Sequence, residues 1–215
     1  MEKEYRPSKT MNISFIGEIM LGREVGENYI QSKNEILSNQ LKAKIRKKSD
    51  FIIANLEAPV AGDILEEDDI MTFLAKPETL KQVDFIDAFS LANNHINDGG
   101  TVGIDETIKQ LELNSFEWNG FYEDNYTPLL YEKNSVKCAV ICCTDVLNKE
   151  IETSEYSKKL LWLDDKVIDE KILEYKQKGY FVILYVHGGI MFSRFPNPMF
   201  RNVLHKKIDL GRDLI

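Results

Sequence analysis

The sequence predicts an α/β fold, with mixed, mainly parallel sheets flanked by helices, as one sheet or two packed together. Three observations predict it. Short runs such as "DFIIANLEAPV" and "YFVILYVHGG" are apolar on consecutive positions, as strands are when both faces are covered. Stretches with apolar residues at helical spacing stand between them. Two strand-like runs around Lys133 and Asn134, in "PLLYEKNSVKCAVICC", add a β-hairpin.

Taken in order, residues 1–11 read as a polar arm and 12–215 as a single domain. "MNISFIGEIM" is a strand ending at Gly17, whose permissive backbone suits a turn. A long helix is expected through "NEILSNQLKAKIRKKS", with Ile30, Leu37, Leu41 and Ile45 on one stripe and a basic last turn matching the helix dipole. "DFIIANLEAPV" is the second strand, and the acidic "GDILEEDD" a surface loop. Pro77 opens a short helix through Leu80 and Val83, since proline is tolerated in a first turn. "AFSLANN" is the third strand, followed by a helix carrying Ile104, Ile108 and Leu111, and "SFEWNG" enters another strand. After the hairpin, residues 164–178 form an amphipathic helix with Val167, Ile168, Ile172 and Tyr175 inward, stopped at Gly179. "YFVILYVHGG" is the most apolar strand, and Pro198 starts a last helix with Val203, Leu204 and Ile208, ending at Gly211. Asp213-Leu214-Ile215 then read as the first residues of a further buried strand, so the chain is expected to be cut short there.

The bulk composition narrows the function classes. With 43% hydrophobic and 29% charged residues among 215, the chain is an ordinary globular one. Its net charge of -8 repels nucleic acid and anionic membrane surfaces, so neither is an expected partner. No signal-peptide core or membrane-length apolar run is present, which predicts a soluble, cytoplasmic protein. Cys138, Cys142 and Cys143 share one strand-like run without metal-knuckle spacing and read as buried free thiols.

In an open α/β sheet, ligands bind beyond the carboxyl ends of the strands. Those ends are here Gly17-Glu18 with Arg23 behind, Asn55-Leu56-Glu57, Asn93-Asn94-His95 in "LANNHINDGG", and His187-Gly188-Gly189. Carboxylate, carboxylate, amide with imidazole, and imidazole are all metal-ligand types. Each has a bland reading alone: a cap, a turn asparagine, a satisfied histidine, a surface arginine. Their coincidence at one sheet edge, each followed by glycine or proline, favours a shared site.

The stretches "FIGEIMLGR", "IIANLEAPV", "LANNHINDGG" and "VHGGIMFSRFPNP" resemble, in that order, the motifs of CapA-type capsule and poly-γ-glutamate biosynthesis proteins, over residues 12–215. The resemblance implies a metallophosphatase-like α/β sandwich of the calcineurin type. It implies Glu18 as ligand of a first metal, Glu57 as the bridging carboxylate, and Asn94 and His187 as ligands of a second. It further implies that His95 protonates a leaving-group oxygen while Asp98 orients it. Arg23, with Asn55, Asn93 and Arg194 in the same motifs, is an expected substrate contact. The implied cofactor is one or two ions of Mn, Fe or Zn. The implied substrate is a small phosphoester or an anionic polymer, and the implied partners are proteins of exopolymer synthesis. Two ions about 4 Å apart polarise a phosphoryl oxygen and generate hydroxide at neutral pH.

Two departures from the pattern bear on activity. Glu18 is one methylene longer than the usual aspartate, a shift of about 1 Å where placement matters. The family's Gly-His-x-x-His-type pair does not occur in the sequence, so an incomplete or weakened site is expected. Three readings follow: a metal-dependent phosphoesterase-like hydrolase, a noncatalytic polymer- or partner-binding component, or an unstable truncated remnant.

Overall fold

The computed structural model describes residues 10–65, 72–151 and 156–214, and these build a helix–sheet–sheet–helix sandwich. The first sheet contains β1 (Ile13–Ile19), β2 (Phe51–Leu56), β3 (Ala88–Ser90) and β4 (Glu117–Asn119), all parallel and in that spatial order. The second runs β6-β7-β9, from β6 (Leu129–Lys133), β7 (Val136–Thr144) and β9 (Phe181–His187). β6 and β7 are the expected antiparallel hairpin, whereas β7 and β9 are parallel. Its two-residue turn, Asn134 and Ser135, has φ of 54° and 62°, the geometry that matches strand twist. A two-stranded ribbon pairs β5 (Phe121–Tyr122) with β8 (Lys159–Leu160).

Period-two alternation assigns each strand residue to a layer. Along β2, Phe51 and Ile53 face the second sheet, while Ile52, Ala54 and Leu56 face helices. Along β7, Cys138, Val140 and Cys142 face the first sheet, and Ala139, Ile141 and Cys143 pack on the opposite side. Consecutive apolar runs are what two covered faces demand. The three cysteines are buried and free, as expected, and burial pushes the Cys138 and Cys142 thiols up to about 12. Ile104, Ile108 and Leu111 of α3 (Gly100–Leu113) cover the first sheet. Ile168, Ile172 and Tyr175 of α4 (Lys166–Gln177), with α5 (Pro198–Asp209), cover the second.

Several expectations are corrected. The single long helix is two, α1 (Arg23–Ser32) and α2 (Asn39–Lys48). Lys33 turns left-handed at φ 57°, and the Ser38 hydroxyl accepts from Leu41 N to start the second helix. Leu41 is consequently exposed rather than on the inner stripe. The helix opened by Pro77 is a 3₁₀ helix, Pro77–Val83. The third strand stops at Ser90: Leu91 N still bonds Asn119 O of β4, but Asn93 N turns back to Leu91 O and not to a neighbouring strand. β1 does not end at Gly17 but passes through it to Ile19, with a bulge between Ile16 and Glu18.

Leu214 bridges Ile183 in parallel and its carbonyl accepts from Leu184 N at 2.9 Å, so Asp213-Leu214 do run strand-like beside β9; Ile215 lies outside the described residues. So do residues 1–9 of the polar arm and 66–69 of the acidic loop. Among the described residues, no helix is long and apolar enough to cross a membrane.

Candidate functional site

Parallel register brings the strand tips level. Glu18 lies beside Asn55, Ile19 beside Leu56 and Asn55 beside Ser90, while in the second sheet Thr144 lies beside His187. The bulge at Gly17 re-aims Glu18, a use of bulges common at functional edges. The two sheets are tied where their tips meet: Tyr185 OH donates to Ile16 O at 2.6 Å, and its ring lies 5.4 Å from that of Phe15. β9 thereby delivers His187 to the end of β1.

The donor atoms of Glu18, Glu57 and His187 lie within 4.8 Å of one another, the one such grouping of three among the described residues. His187 Nδ1 is 3.5 Å from Glu18 Oε1, and His187 Nε2 is 2.8 Å from Asn94 Oδ1. Three donors at about 2.1 Å on one ion sit about 3.4–3.6 Å apart, so each would close by roughly 0.7 Å to hold an ion. Two carboxylates, an imidazole and an amide oxygen suit a borderline divalent ion. Burial and the adjacent Glu18 carboxylate push Glu57 from its ordinary 4.5 up to about 7. Burial also holds the His187 imidazole below its ordinary value, outweighing the pull of Glu18, and so favours the neutral ligand form. The residues present therefore fit one divalent ion.

The crowded carboxylates predict a pH signature. Between about 4.5 and 7 the folded metal-free protein holds a Glu57 proton that the unfolded chain releases, so its stability falls as pH rises through that window. Thermal melts across pH 4–8 should show this decline, and E57Q should flatten it. Added Mn²⁺ should stabilise the wild type most above pH 7; a wild-type profile as flat as that of E57Q would refute the pairing.

His95 is 4% exposed and its Nδ1 is 2.7 Å from Asp98 Oδ2, which also accepts from Phe73 N at 2.8 Å. The Phe73 ring stacks on the imidazole at 4.0 Å, and the Arg23 guanidinium lies over that ring at 5.1 Å. Arg23 thus stands one layer behind His95, at φ 54°, beside a cavity of about 350 Å³ that Lys76 also lines. Asn93 has no exposed surface: its amide nitrogen donates to Asn55 Oδ1 and Leu56 O, and its oxygen accepts from His95 N. It shapes the loop from beneath, while Asn55 reaches His187 Nδ1 at 3.3 Å. Arg194 sits exposed on the loop after β9, joined to none of these groups.

The sequence profile described as "Bacterial capsule synthesis protein PGA_cap" matches residues 12–215. The chain belongs to that family. The chain is similar to the capsule biosynthesis protein CapA of Bacillus anthracis, with 25% identity over 228 residues, covering 99% of this chain and 54% of that protein. It spans about half the length of the curated relative it matches. Among solved structures, the NAD nucleotidase NadN of Haemophilus influenzae superposes loosely, with a TM-score of 0.48 and 14% identity over 82% of this chain and 30% of that one.

One strand tip was not singled out in the sequence analysis. β7 ends in "TDVLNKE", another carboxyl end rich in polar residues. Asn148 there bonds both Asn94 and His95, Lys149 reaches Asp98 O, and Asp145 accepts from Gly189 N. The rule that singled out the other tips applies to this one too.

Proposed function

We propose that this chain holds a divalent ion at Glu18, Glu57, Asn94 and His187 and hydrolyses a phosphoester-type bond in exopolymer metabolism. The observation that carries the proposal is the convergence of Glu18, Glu57 and His187 donors within 4.8 Å, from strand tips of two different sheets. The two-sheet sandwich with helices outside supports a metallophosphatase-type reading. When bound, the ion would supply Lewis acidity and an activated water. His95 is buried, carried by the same loop as Asn94, and held through Nδ1 by Asp98, so that its Nε2, after taking up a proton, would be the arm that donates to a leaving oxygen. The substrate is a small phosphoester or an anionic polymer, whose charge the ion offsets against the acidic surface.

Hydrolysis of bis-p-nitrophenyl phosphate with added Mn²⁺ tests this. Turnover should be metal-dependent and fall by roughly 10²–10⁴ in H95A. A second reading, a noncatalytic component that docks partners of exopolymer synthesis, draws support from residues 190–199. There Ile190, Met191, Phe192, Phe195 and Met199 are all exposed, Phe192 completely. No metal-dependent turnover, with capsule output unchanged by H95A but lost on gene deletion, would favour that reading instead.

A further inference from the structure

The hydrogen bonds of the site all run in one direction. As a carboxylate, Asp98 only accepts, so the 2.7 Å contact makes His95 Nδ1 the donor, and in the neutral imidazole, the form that precedes proton uptake, Nε2 is the acceptor. The partner of that Nε2, Asn148 at 3.3 Å, must then present its Nδ2. Asn148 Oδ1 consequently faces Asn94 and accepts from Asn94 Nδ2 at 3.1 Å. Asn94 Oδ1 is thereby turned to His187 Nε2 at 2.8 Å, and His187 Nδ1 accepts from Asn55 Nδ2. Every amide in the series has its flip dictated by its neighbour, and Asn148 is the one member that touches both Asn94 and His95.

We propose that Asn148 is a positioning residue: its amide, contributed from the β7 tip, turns the Asn94 oxygen toward His187 and the metal position while holding His95 Nε2 on its other arm. The inference rests on the metal-site reading for its consequence in ion binding, and on geometry alone for the orientation. A free asparagine side chain presents its nitrogen or oxygen with little preference, and only the oxygen is a ligand. Asn148 is itself exposed, and its backbone N–H donates to Asn94 O at 2.9 Å whatever side chain it carries. Substitution there leaves the loop anchored and the core untouched.

The test compares wild type with N148L, which has neither arm, and N148D, which keeps the acceptor for Asn94 and loses the donor to His95. Mn²⁺ binding is measured by calorimetry, and imidazole tautomers in the metal-free protein by ¹⁵N NMR, with exposed His205 as internal reference. N148L should bind Mn²⁺ about tenfold or more weakly, in line with losses at outer-shell partners, while N148D binds at least as well as wild type. His187 should carry its proton on Nε2 in wild type and N148D and lose that preference in N148L. Equal behaviour of N148L and wild type overturns the proposal, as does equal weakening in both variants. If no variant binds Mn²⁺ yet the tautomers differ as described, the positioning role stands and the metal reading falls.

Discussion

Replacing His187 with alanine is expected to weaken Mn²⁺ binding by roughly 100-fold or more while leaving the protein folded. Loss of an outer-shell partner alone costs about 10–100-fold in affinity, and His187 stands directly among the donor atoms. Its removal takes away the only imidazole of the cluster and the group against which Asn94 Oδ1 is held at 2.8 Å. It also leaves Glu18 and Glu57 facing each other with the Asn94 oxygen as the one other donor, no longer held in place. The fold should tolerate the change, because His187 is the last residue of β9 and is half-buried, with its strand still bonded to β7. Calorimetric titration with Mn²⁺ checks the affinity, and a cooperative melt checks the fold. H205A, on exposed α5 surface, serves as the control and should bind as wild type does. Unchanged affinity in H187A would remove the site as drawn.

The second large effect is expected far from any charged group. Gly120 joins β4 to β5 at φ +118°, a conformation that side chains rarely adopt. A Cβ there would lie 2.6 Å from Ala92 N and 2.9 Å from Ala92 Cβ. Neither side has room to give. Leu91 N donates to Asn119 O at 2.8 Å and Leu161 N to Gly120 O at 2.8 Å, clamping both segments. Strain of this kind, about 1–3 kcal/mol, adds to the backbone clash, so G120A should lose about 3 kcal/mol or more. For a chain of this size that is a fall in Tm of roughly 6–12 °C. Because Ala92 leads directly into Asn93, Asn94 and His95, the same variant should bind Mn²⁺ more weakly even when folded. A Tm within about 2 °C of wild type would show that the segments part more easily than this packing allows.

The elements that were legible in the sequence were those with a strong local signal. The consecutive apolar residues of β2 and β9, the helical stripe of Ile168, Ile172 and Tyr175, and the hairpin at Asn134 all appear where expected. The break between α1 and α2 was not legible by periodicity, because Ile30 and Leu37 keep helical spacing across it. Only the Ser38 cap marks it, and a serine inside a polar stretch is a weak sign. The bulge at Gly17 was likewise hidden, since a glycine signals a turn and a bulge equally well.

The site divides in the same way. Glu18, Glu57, Asn94, His95 and His187 could be picked out because each follows an apolar strand and each has the chemistry of a ligand or proton carrier. Asn93 was picked on the same grounds, yet it is fully buried and spent on Asn55, Leu56 and His95, while its neighbour Asn94 faces His187. Adjacent residues in an irregular loop have no fixed alternation to tell them apart. Asn148 went unnoticed because its strand tip lacks the glycine or proline that marked the others.

Chain order and residue type were enough to establish an α/β architecture, its buried strands, and a set of oxygen and nitrogen donors at their carboxyl ends, because periodicity and side-chain chemistry are properties of short segments. Folding alone decided that Asn55 meets His187 across 132 residues and that Glu18 and Glu57 crowd together. It also set the direction in which every amide of the site points. Those facts depend on two sheets packing through Phe51, Ile53, Val140 and Cys142, a contact between residues that no local pattern relates.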